Sequence, residues 1–393
     1  MVMSSRRELM IAAAATGLLG EARARAAAPG DPGPQNAELT AMNPSMFTPP
    51  RTDHGNLGSL KYSFSEAHNK RTDAGWAREV TVRQLPIAKA IAGVNMRLPK
   101  GAVRELHWHK PAEWAFMLYG NARITAVDQE ARKFVDDVHE GDLWFFPGGV
   151  PHSIQGLEPD GCEFLLAFND GAFSEDSTFQ ITQWMAHTPR EVLAKNFGFS
   201  PEAFAKVPQR ELYIFDAPLP GSLADDLAQS ARPEVPDSYS FRLTKQAPIK
   251  TRGGTVRIAD RNNFKASKTM SAALVEVEPG GLRELHWHPL SDEWQYYISG
   301  RARMTVFTSE AANTVDFGAS DVGYVPRALG HYIENTGNDT LRFLEIFADG
   351  QYSDVSLASW MANTPHELVA AHLGIDLALL SRIPETKTPV VPV

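Results

Sequence analysis

The sequence has almost no cysteine and no excess of basic residues. Cys162 is the single cysteine among 393 residues, which excludes disulfide bonds within the chain and argues against a metal site built from thiolates. There are 38 lysines and arginines against 47 aspartates and glutamates, a net charge of −9. A chain of this charge is not expected to bind nucleic acid or an anionic membrane surface. An anionic ligand would have to be attracted locally, by a metal ion or an arginine in a pocket.

The N-terminal region has no apolar run long enough to span a membrane. Its mildly apolar stretch, Met10 to Gly20, follows Arg6-Arg7 and precedes Ala26-Ala27-Ala28, which is the order of regions in a signal peptide. The paired arginines and the weak apolar region favour the twin-arginine type. We therefore predict a signal peptide at residues 1–28, export to the periplasm or the medium, and an N-terminal arm at residues 29–58.

A repeat organises the rest of the chain. The hexapeptide RELHWH occurs at Arg104–His109 and again at Arg283–His288, and other residues recur in the same register, such as His152 with His331. A repeat this long is typical of two copies of one domain and not of a solenoid. We predict a first domain at residues 59–232 and a second at residues 233–393, joined through a stretch rich in proline and charge at about 208–247.

Each copy has the pattern of a β domain. Glu113–Tyr119 and Ala122–Val127 are aromatic and β-branched runs that Gly120-Asn121 separates, and the second copy repeats the pattern. Short strands broken by glycine, proline and asparagine predict an all-β sandwich or barrel. Helices are expected to be few and short. Thr188–Glu191 and Thr364–Glu367 each predict a helix that begins with a capping box, with Thr at the N-cap and Glu at the third position.

The histidines of the hexapeptide have the spacing of metal ligands. Residues two apart on a strand point to the same side, a glutamate opens the next strand, and one more histidine follows a tight turn later in each copy. A lone histidine in a β domain is more often a hydrogen-bonded core residue, but recurrence in register favours a metal site. Three imidazoles and a carboxylate suit manganese or iron better than calcium or magnesium. The predicted ligands are His107, His109, Glu113 and His152 in the first copy and His286, His288, Glu293 and His331 in the second.

These motifs resemble those of the cupins. Gly101, His107, His109, Glu113 and Gly120 have the spacing of the first cupin motif, and the second copy repeats it. The second cupin motif fits the first copy from Gly141 to His152, whereas the second copy has Ser320 and Ala328 where glycines are usual. Those two changes affect turn geometry and leave the ligands in place. From about residue 40 onward the chain is similar to the bicupin oxalate decarboxylases, which implies two tandem jelly-roll β-barrels with short helical segments.

The resemblance also implies an activity. Members of that family convert oxalate to formate and CO2 with Mn(II), here two ions per chain, and with dioxygen as a redox partner that is not consumed overall. The family further implies a homo-oligomer, a trimer or a hexamer. Oxalate has no hydrogen that a base could remove, so the chemistry has to cleave its C–C bond and then deliver a proton to carbon.

Four residues are predicted to act beside the metals. Arg104 and Arg283 precede the first ligands by three positions, and a guanidinium binds a carboxylate through two parallel hydrogen bonds. Because three is an odd spacing, the strand must bend between each arginine and the histidines. Glu175 matches the family's proton donor on a lid loop, in a Ser-Glu-Asp-Ser stretch where the family has Asn in place of Asp176. Glu345, inside a buried apolar run, resembles the glutamate near the family's second metal.

Three alternatives remain open from the sequence. An oxalate oxidase has the same ligand set and makes CO2 and hydrogen peroxide, but it lacks a proton donor such as Glu175. Seed-storage bicupins are not catalytic and have generally lost the ligands that this chain keeps. A bicupin dioxygenase acting on an aromatic substrate typically keeps one complete site and a larger pocket.

Overall fold

The computed structural model describes residues 36–393. The predicted signal peptide and the first part of the predicted arm, up to residue 35, lie outside the described residues. A unit that ends at Pro49 contains two short helices, α1 (Ala37–Met42) and α2 (Pro44–Phe47). Helix α1 begins at Asn36, whose side-chain oxygen accepts the backbone N–H groups of Glu38 and Leu39 at 3.1 and 3.2 Å, as an N-cap residue does.

The second unit, Pro50–Val393, is built mainly of antiparallel strands. In chain order its first thirteen strands are β1 (Lys61–Ser63), β2 (Asn69–Thr72), β3 (Gly75–Val80), β4 (Ala92–Leu98), β5 (Ala102–Trp108), β6 (Glu113–Val127), β7 (Lys133–His139), β8 (Leu143–Phe146), β9 (His152–Gly156), β10 (Cys162–Phe168), β11 (Phe179–Gln180), β12 (Ile214–Asp216) and β13 (Ser240–Phe241). The remaining strands are β14 (Ile249–Lys250), β15 (Gly254–Ala259), β16 (Ser271–Val277), β17 (Leu282–Trp287), β18 (Glu293–Ser299), β19 (Ala302–Phe307), β20 (Ala312–Phe317), β21 (Asp321–Val325), β22 (Gly330–Asn335), β23 (Leu341–Phe347), β24 (Val355–Ser356) and β25 (Val390–Val391).

Helices are short and few among the described residues of this unit. The α-helices are α3 (Ile181–Ala186), α4 (Arg190–Phe197), α5 (Leu223–Ala228), α6 (Leu357–Ala362), α7 (His366–Leu373) and α8 (Leu377–Leu380), and three 3₁₀ turns lie at Glu175–Ser177, Pro201–Phe204 and Leu243–Lys245. The prediction of an all-β fold with two tandem jelly-roll barrels and short helical segments is confirmed. In residues 36–393, no helix combines the length and the apolar character that a bilayer span requires.

The two barrels close their sheets in different ways. Strands β2 to β13 form one twelve-stranded sheet, whereas the second half forms a seven-stranded and a six-stranded sheet. The difference comes from β6, which runs for 15 residues without a break and pairs with β8 and β10 in its first half and with β7 and β9 in its second. The predicted separation at Gly120 is therefore wrong in the first copy. Gly120 has φ of 75°, a left-handed conformation that turns the strand without ending its pairing.

Each barrel also takes up a strand from outside its own stretch of sequence. Strand β1 pairs antiparallel with β21 of the second barrel, with Tyr62 opposite Val322. Strand β13 pairs with β8 of the first barrel, with Ser240 opposite Trp144. One buried apolar cluster contains side chains of both barrels, among them Trp114 and Trp294. The two barrels therefore share strands and a common core.

The segment predicted as a connection is packed against the first barrel. Within it, β12 pairs with β5, so that Ile214 lies opposite Arg104. Helix α5 follows β12, and its Asp226 binds Arg123 of β6 with 2.7 Å between Oδ2 and Nη1. This segment thus contributes to the wall of the first barrel at the strand that carries RELHWH.

The two predicted capping boxes do not form. Helices α4 and α7 begin at Arg190 and His366, and no side chain caps either N-terminus. The hydroxyls of Thr188 and Thr364 instead donate to the backbone carbonyls of Trp184 and Trp360 at 2.8 Å, in the helices that precede α4 and α7. A threonine that follows one helix closely can satisfy the last carbonyls of that helix, and this use competes with N-capping the next.

Candidate metal centres

The first predicted ligand set comes together at one end of the first barrel. His107 lies on β5, His109 directly follows that strand, and Glu113 and His152 are the first residues of β6 and β9. All four are buried, and their ligand atoms lie within 4.8 Å of one another. Glu113 Oε2 is 3.2 Å from His109 Nε2 and 3.4 Å from His152 Nε2.

Backbone carbonyls set the orientation of the three imidazoles. The Nδ1 atoms of His107, His109 and His152 donate to the carbonyl oxygens of residues 105, 111 and 150 at 2.5, 2.8 and 2.8 Å. A carbonyl can only accept, so Nδ1 carries the proton and Nε2 keeps its lone pair for a metal. The fourth ligand is oriented as well, because Trp144 Nε1 donates to Glu113 Oε1 at 2.9 Å.

Burial and mutual contact hold His107, His152 and Glu113 in the protonation state that metal binding requires. Burial lowers the pKa of His107 well below its ordinary value, and Arg104 and His152 lower it further. Burial likewise lowers the pKa of His152. For Glu113, burial alone would raise the pKa, but His152 and His109 outweigh it, and the pKa falls far below that of an ordinary glutamate. Neutral imidazoles and an ionised carboxylate are the forms that bind a divalent cation.

The second barrel repeats the arrangement. His286 lies on β17, His288 follows it, Glu293 opens β18, and His331 lies on β22. Their ligand atoms also lie within 4.8 Å of one another, and Glu293 Oε2 is 2.8 Å from His331 Nε2. Burial alone would raise the pKa of Glu293, but His331 and His288 lower it well below its ordinary value.

Both clusters contain buried atoms that no protein group satisfies. His152 Nε2, His331 Nε2 and Glu293 Oε2 are buried and make no hydrogen bond. The carboxylate and imidazole atoms lie within 3.4 Å of each other, but an Nε2 without a proton cannot donate to a carboxylate. In the second cluster, Nε2 of His286 and Nε2 of His288 are 3.1 Å apart, while each Nδ1 faces a backbone carbonyl. Two lone pairs at this distance repel unless a cation lies between them. The residues therefore fit a divalent metal at each cluster, and the imidazole-rich donor set suits manganese or iron.

The bend that the odd arginine spacing requires is present in both copies. The pairing of β5 with β9 shifts register between Arg104 and His107, and the pairing of β17 with β22 shifts between Arg283 and His286. Such an irregularity adds a residue to one strand and redirects the side chains beyond it. Both arginines are buried.

Arg104 contacts the predicted lid, which is the loop of residues 173–178. Its Nη2 lies 3.1 Å from Glu175 Oε2, and its Nη1 donates to the backbone carbonyl of Tyr213 at 3.3 Å. Its guanidinium carbon lies 4.5 Å from the centre of the Tyr213 ring, a cation–π contact. Glu175 is buried at the start of a 3₁₀ turn that Ser174 caps, and its backbone N–H donates to Glu79 Oε2 at 3.1 Å. The lid thus places a carboxyl and a guanidinium side by side.

A cleft of about 460 Å³ lies beside the lid, and neither Arg104 nor Glu175 lines it. The lid lines it with Phe173 and residues 176–178, and His109 of the metal cluster lines it from the barrel. A small ligand in this cleft would contact the lid and a predicted metal ligand together.

Arg283 has more protein partners in the second barrel than Arg104 has in the first. Its Nε lies 2.9 Å from Glu345 Oε1, and its Nη2 lies 2.6 Å from Asp354 Oδ2 and 2.9 Å from the Tyr352 hydroxyl. Nη1 donates to the carbonyl of Pro389 at 3.3 Å. The structure therefore brings Glu345 and Arg283 together, as a buried ion pair in which protein groups already occupy the guanidinium.

Several residues of these sites were not predicted from the sequence. Glu105, inside RELHWH, accepts the backbone N–H groups of Leu212 and Tyr213 at 2.7 and 2.9 Å and that of Thr182 at 3.2 Å. It thereby fixes Tyr213 and the segment after the lid to β5. The exact recurrence of this glutamate as Glu284 was a signal for a structural role. Tyr213 carried no such signal, because the same position of the second copy holds Pro392. Asp354 occupies the position of Glu175 in the 179-residue register, and each of these acids binds the arginine of its own barrel.

The fold and the two clusters define a class of protein: tandem β-barrels with a three-histidine, one-glutamate metal centre in each barrel. The family model described as "Cupin" matches residues 62–204 and 241–378. The chain therefore belongs to the cupin family, and its two matches make it a bicupin.

Comparison with individual proteins narrows the class. The chain is 57% identical over 359 residues to oxalate decarboxylase OxdC of Bacillus subtilis, covering 91% of this chain and 93% of that protein. It is 38% identical over 365 residues to a probable oxalate decarboxylase of Arthroderma benhamiae, covering 91% and 90%. A solved structure of the Bacillus subtilis enzyme, from work on its Mn(II) centres, superposes with a TM-score of 0.89 at 56% identity and covers 92% of this chain and 96% of that one. The chain thus belongs with the bicupin oxalate decarboxylases.

Proposed function

We propose that this protein is a manganese-dependent oxalate decarboxylase that converts oxalate to formate and CO2 at the metal centre of the first barrel. The observation that supports this most directly is the buried pair of Arg104 and Glu175 at 3.1 Å, beside a complete ligand set. It combines a cation that can bind a carboxylate with a carboxyl that can donate a proton.

Oxalate binding follows from the surroundings of Arg104. The guanidinium is held by the Tyr213 ring and carbonyl, while Glu175 is the only partner of Nη2 among residues 36–393. An incoming carboxylate therefore replaces Glu175 at Nη2 and forms the two-pronged contact that arginine favours. Binding of the substrate releases the Glu175 carboxyl for chemistry.

When bound, manganese supplies a positive charge and a redox capacity that draw electron density from oxalate, and dioxygen is proposed as a redox partner that is not consumed. The C–C bond breaks and CO2 leaves. Glu175 then delivers its proton to the carbon of the remaining fragment, and the C–H bond of formate forms. One proton from solvent restores Glu175, so that each oxalate dianion consumes one proton in total.

The second centre is proposed to support the fold, without being the main site of turnover. Two carboxylates and a tyrosine hydroxyl accept hydrogen bonds from Arg283, so its Nε and Nη2 donors are already used and are not open to oxalate. Glu345 is committed to Arg283 and to Tyr352, whose hydroxyl donates to Oε2 at 3.1 Å.

Replacement of Glu175 by Gln tests the proposal. Glutamine keeps the size of the side chain but has no acidic proton, so formate production is expected to fall by about 10²–10⁴-fold, the usual effect of losing a general acid. The remaining turnover should shift toward CO2 and hydrogen peroxide, as in an oxalate oxidase. Formate and peroxide are measured together on oxalate, with metal content determined for each protein. Activity of the parent protein is expected to be favoured at mildly acidic pH, because each turnover consumes one proton.

Glu345→Gln is the matched control, since it changes a buried carboxyl that lies beside the arginine of the second barrel. It is expected to keep most formate production. If Glu175→Gln makes formate at the parent rate, the donor is elsewhere, and Glu345 becomes the next candidate. If the parent makes only peroxide and CO2, the protein is an oxalate oxidase.

We also propose that the protein is exported by residues 1–28 and assembles as a homo-oligomer, a trimer or a hexamer. Trp184 of α3 and Trp360 of α6 are 65% and 60% exposed at equivalent places in the two barrels. Exposed apolar side chains of this size favour a protein interface. Native mass spectrometry tests the assembly, and a monomer at micromolar concentration contradicts the proposed oligomer.

Recovery of the chain outside the cytoplasm tests export, and replacement of Arg6 and Arg7 by Lys is expected to abolish export.

A further inference from the structure

The lid carries a second acidic residue whose partner lies on another strand. Asp176 follows the proposed proton donor directly, and its Oδ1 lies 2.9 Å from Lys70 Nζ on β2. Asp176 is 76% exposed, whereas Lys70 is 33% exposed. The aspartate therefore reaches out from the lid to a lysine that the barrel partly encloses.

Lys70 also contacts two residues of the segment that follows the lid, Tyr213 and Glu211. Its Nζ lies 4.0 Å from the centre of the Tyr213 ring and 3.8 Å from Glu211 Oε1. Tyr213 is the residue that binds Arg104 through its ring and carbonyl. Glu211 accepts the side-chain N–H of Gln180 at 2.5 Å, where the lid returns to the barrel and pairs with His107. The Lys70 ammonium thus contacts Asp176 in the lid, Glu211 near the end of the lid, and the Tyr213 ring that packs against Arg104.

Several acidic residues lie near Lys70, and its positive charge offsets their mutual repulsion. Glu79 of β3 lies close to Glu175 and Asp176, since the N–H of Glu175 donates to Glu79 Oε2 at 3.1 Å. Burial raises the pKa of Glu79, and this effect outweighs the hydrogen bond from the Glu175 N–H, which lowers it. The negative charges of Glu175 and Asp176 raise the pKa further. Three neighbouring acids repel one another and would push the lid away from the barrel. Arg104 balances Glu175, and Lys70 is the cation in contact with Asp176.

We propose that Lys70 is a positioning residue, which holds Asp176 and thereby keeps Glu175 beside Arg104. This inference rests on the proposed role of Glu175 and adds a residue that acts on it indirectly. Because the pair is largely exposed, its contribution is modest, and loss of the pair shifts the opening of the lid by about two- to fivefold. Salt screens exposed pairs, so lid opening in this protein depends on ionic strength.

Amide hydrogen exchange of the metal-loaded protein tests the proposal without reference to activity. In Lys70→Met, the backbone amides of residues 174–178 are expected to exchange about two- to fivefold faster than in the parent. Raising the salt concentration is expected to speed exchange in the parent but not in Lys70→Met. The matched control is Lys100→Met, which removes an ion pair with Glu158 that is also exposed but is not part of the lid. It should leave exchange of the lid unchanged.

Rescue separates a positioning role from a general loss of structure. Lys70→Asp combined with Asp176→Lys restores the pair with reversed charges and should return lid exchange toward the parent value. Asp176→Asn combined with Lys70→Met should be no worse than the more affected single variant, since both remove one interaction. Parent-like exchange in Lys70→Met, or additive effects in the double variant, would overturn the proposal.

The product ratio on oxalate provides the second measurement. If Glu175 is the donor, Lys70→Met shifts product from formate toward peroxide about as far as it shifts lid exchange. Altered exchange with an unchanged product ratio would show that Lys70 positions the lid while the role of Glu175 is wrong. Unchanged amide exchange of the lid in Lys70→Met, together with lost formate in Glu175→Gln, would show that Glu175 is the donor and that Lys70 does not position the lid.

Discussion

Removal of Glu345 should destabilise the second barrel far more than it affects turnover. Glu345 lies on the central strand β23 of the seven-stranded sheet and is completely buried, as is Arg283. Glu345→Leu places in the second barrel the residue that the first barrel has at the equivalent position, Leu166. The leucine therefore suits the strand, and the main effect is the loss of one partner of the buried guanidinium.

The size of the effect follows from the contacts that remain. Breaking a buried ion pair by removal of one partner costs about 3–5 kcal/mol. Asp354 still binds Arg283 at 2.6 Å in the variant, so the lower end of that range, about 3 kcal/mol, is expected. Because the two barrels share a core, they are expected to unfold together. At about 2.1 cal/mol/K of unfolding entropy per residue, a loss of about 3 kcal/mol lowers their common midpoint by about 4 °C.

Calorimetry with both proteins at the same concentration and the same manganese loading measures this shift, because bound metal and assembly also move the midpoint. Glu158→Leu serves as control, since it removes an exposed pair with Lys100 and such pairs are worth about 0–1 kcal/mol. A midpoint equal to that of the parent would refute the assignment of Glu345 to a structural ion pair. Loss of formate production in a folded, fully loaded variant would instead place the second centre in the reaction.

Three further outcomes are expected. Arg104→Lys should lower turnover of oxalate by about 10- to 100-fold, since one charge-assisted hydrogen bond is worth about 1.5–3 kcal/mol, and parent-like kinetics would make Arg104 a structural residue. His107→Ala should reduce manganese from two ions to one per chain and abolish turnover, as elemental analysis and a formate assay can show; full activity with one ion would move catalysis to the second barrel. Burial raises the pKa of the Asp354 carboxyl, but Arg283 and Lys387 outweigh it and bring the pKa to about 2, below the value of about 3.9 in an unfolded chain. Its stabilising contribution is therefore complete above about pH 4 and is lost as the pH falls toward 2, so the difference in unfolding midpoint between the parent and Asp354→Asn should shrink over that interval.

The parts of the fold and site that could be predicted are those that depend on local spacing. The positions of His107 and His109 on one side of a strand, and the bend that Arg104 requires, follow from the two-residue period of β structure. A buried Glu345 has to be paired or protonated, and it is paired. In these cases residues close in sequence determine the direction or the burial of the side chain. The repeat of RELHWH shows which of these residues belong to the metal sites.

The parts that could not be predicted depend on contacts between distant segments. The network around Arg283 takes Asp354 from the loop before β24 and Lys387 from the C-terminal segment, where Lys387 Nζ binds the other oxygen of Asp354. Thr188 has the sequence of an N-cap, but the carbonyl of Trp184 takes its hydroxyl. Lys70 faces Asp176 only because β2 and the lid meet on the outside of the barrel, and no periodicity of the sequence indicates that meeting.

The placement of β1 and β13 has a consequence for how the gene can be divided. A fragment cut near residue 233 would carry β1 without β21 and would leave β8 without β13, and its complement would have the opposite defects. Each fragment would present open strand edges, which favour aggregation, together with the apolar surface that the two halves bury against each other. The two halves are therefore not independent modules, and neither is expected to fold correctly when it is expressed alone. Hybrids between relatives should be joined at points that keep β1 with β21 and β13 with β8 in the same parent sequence.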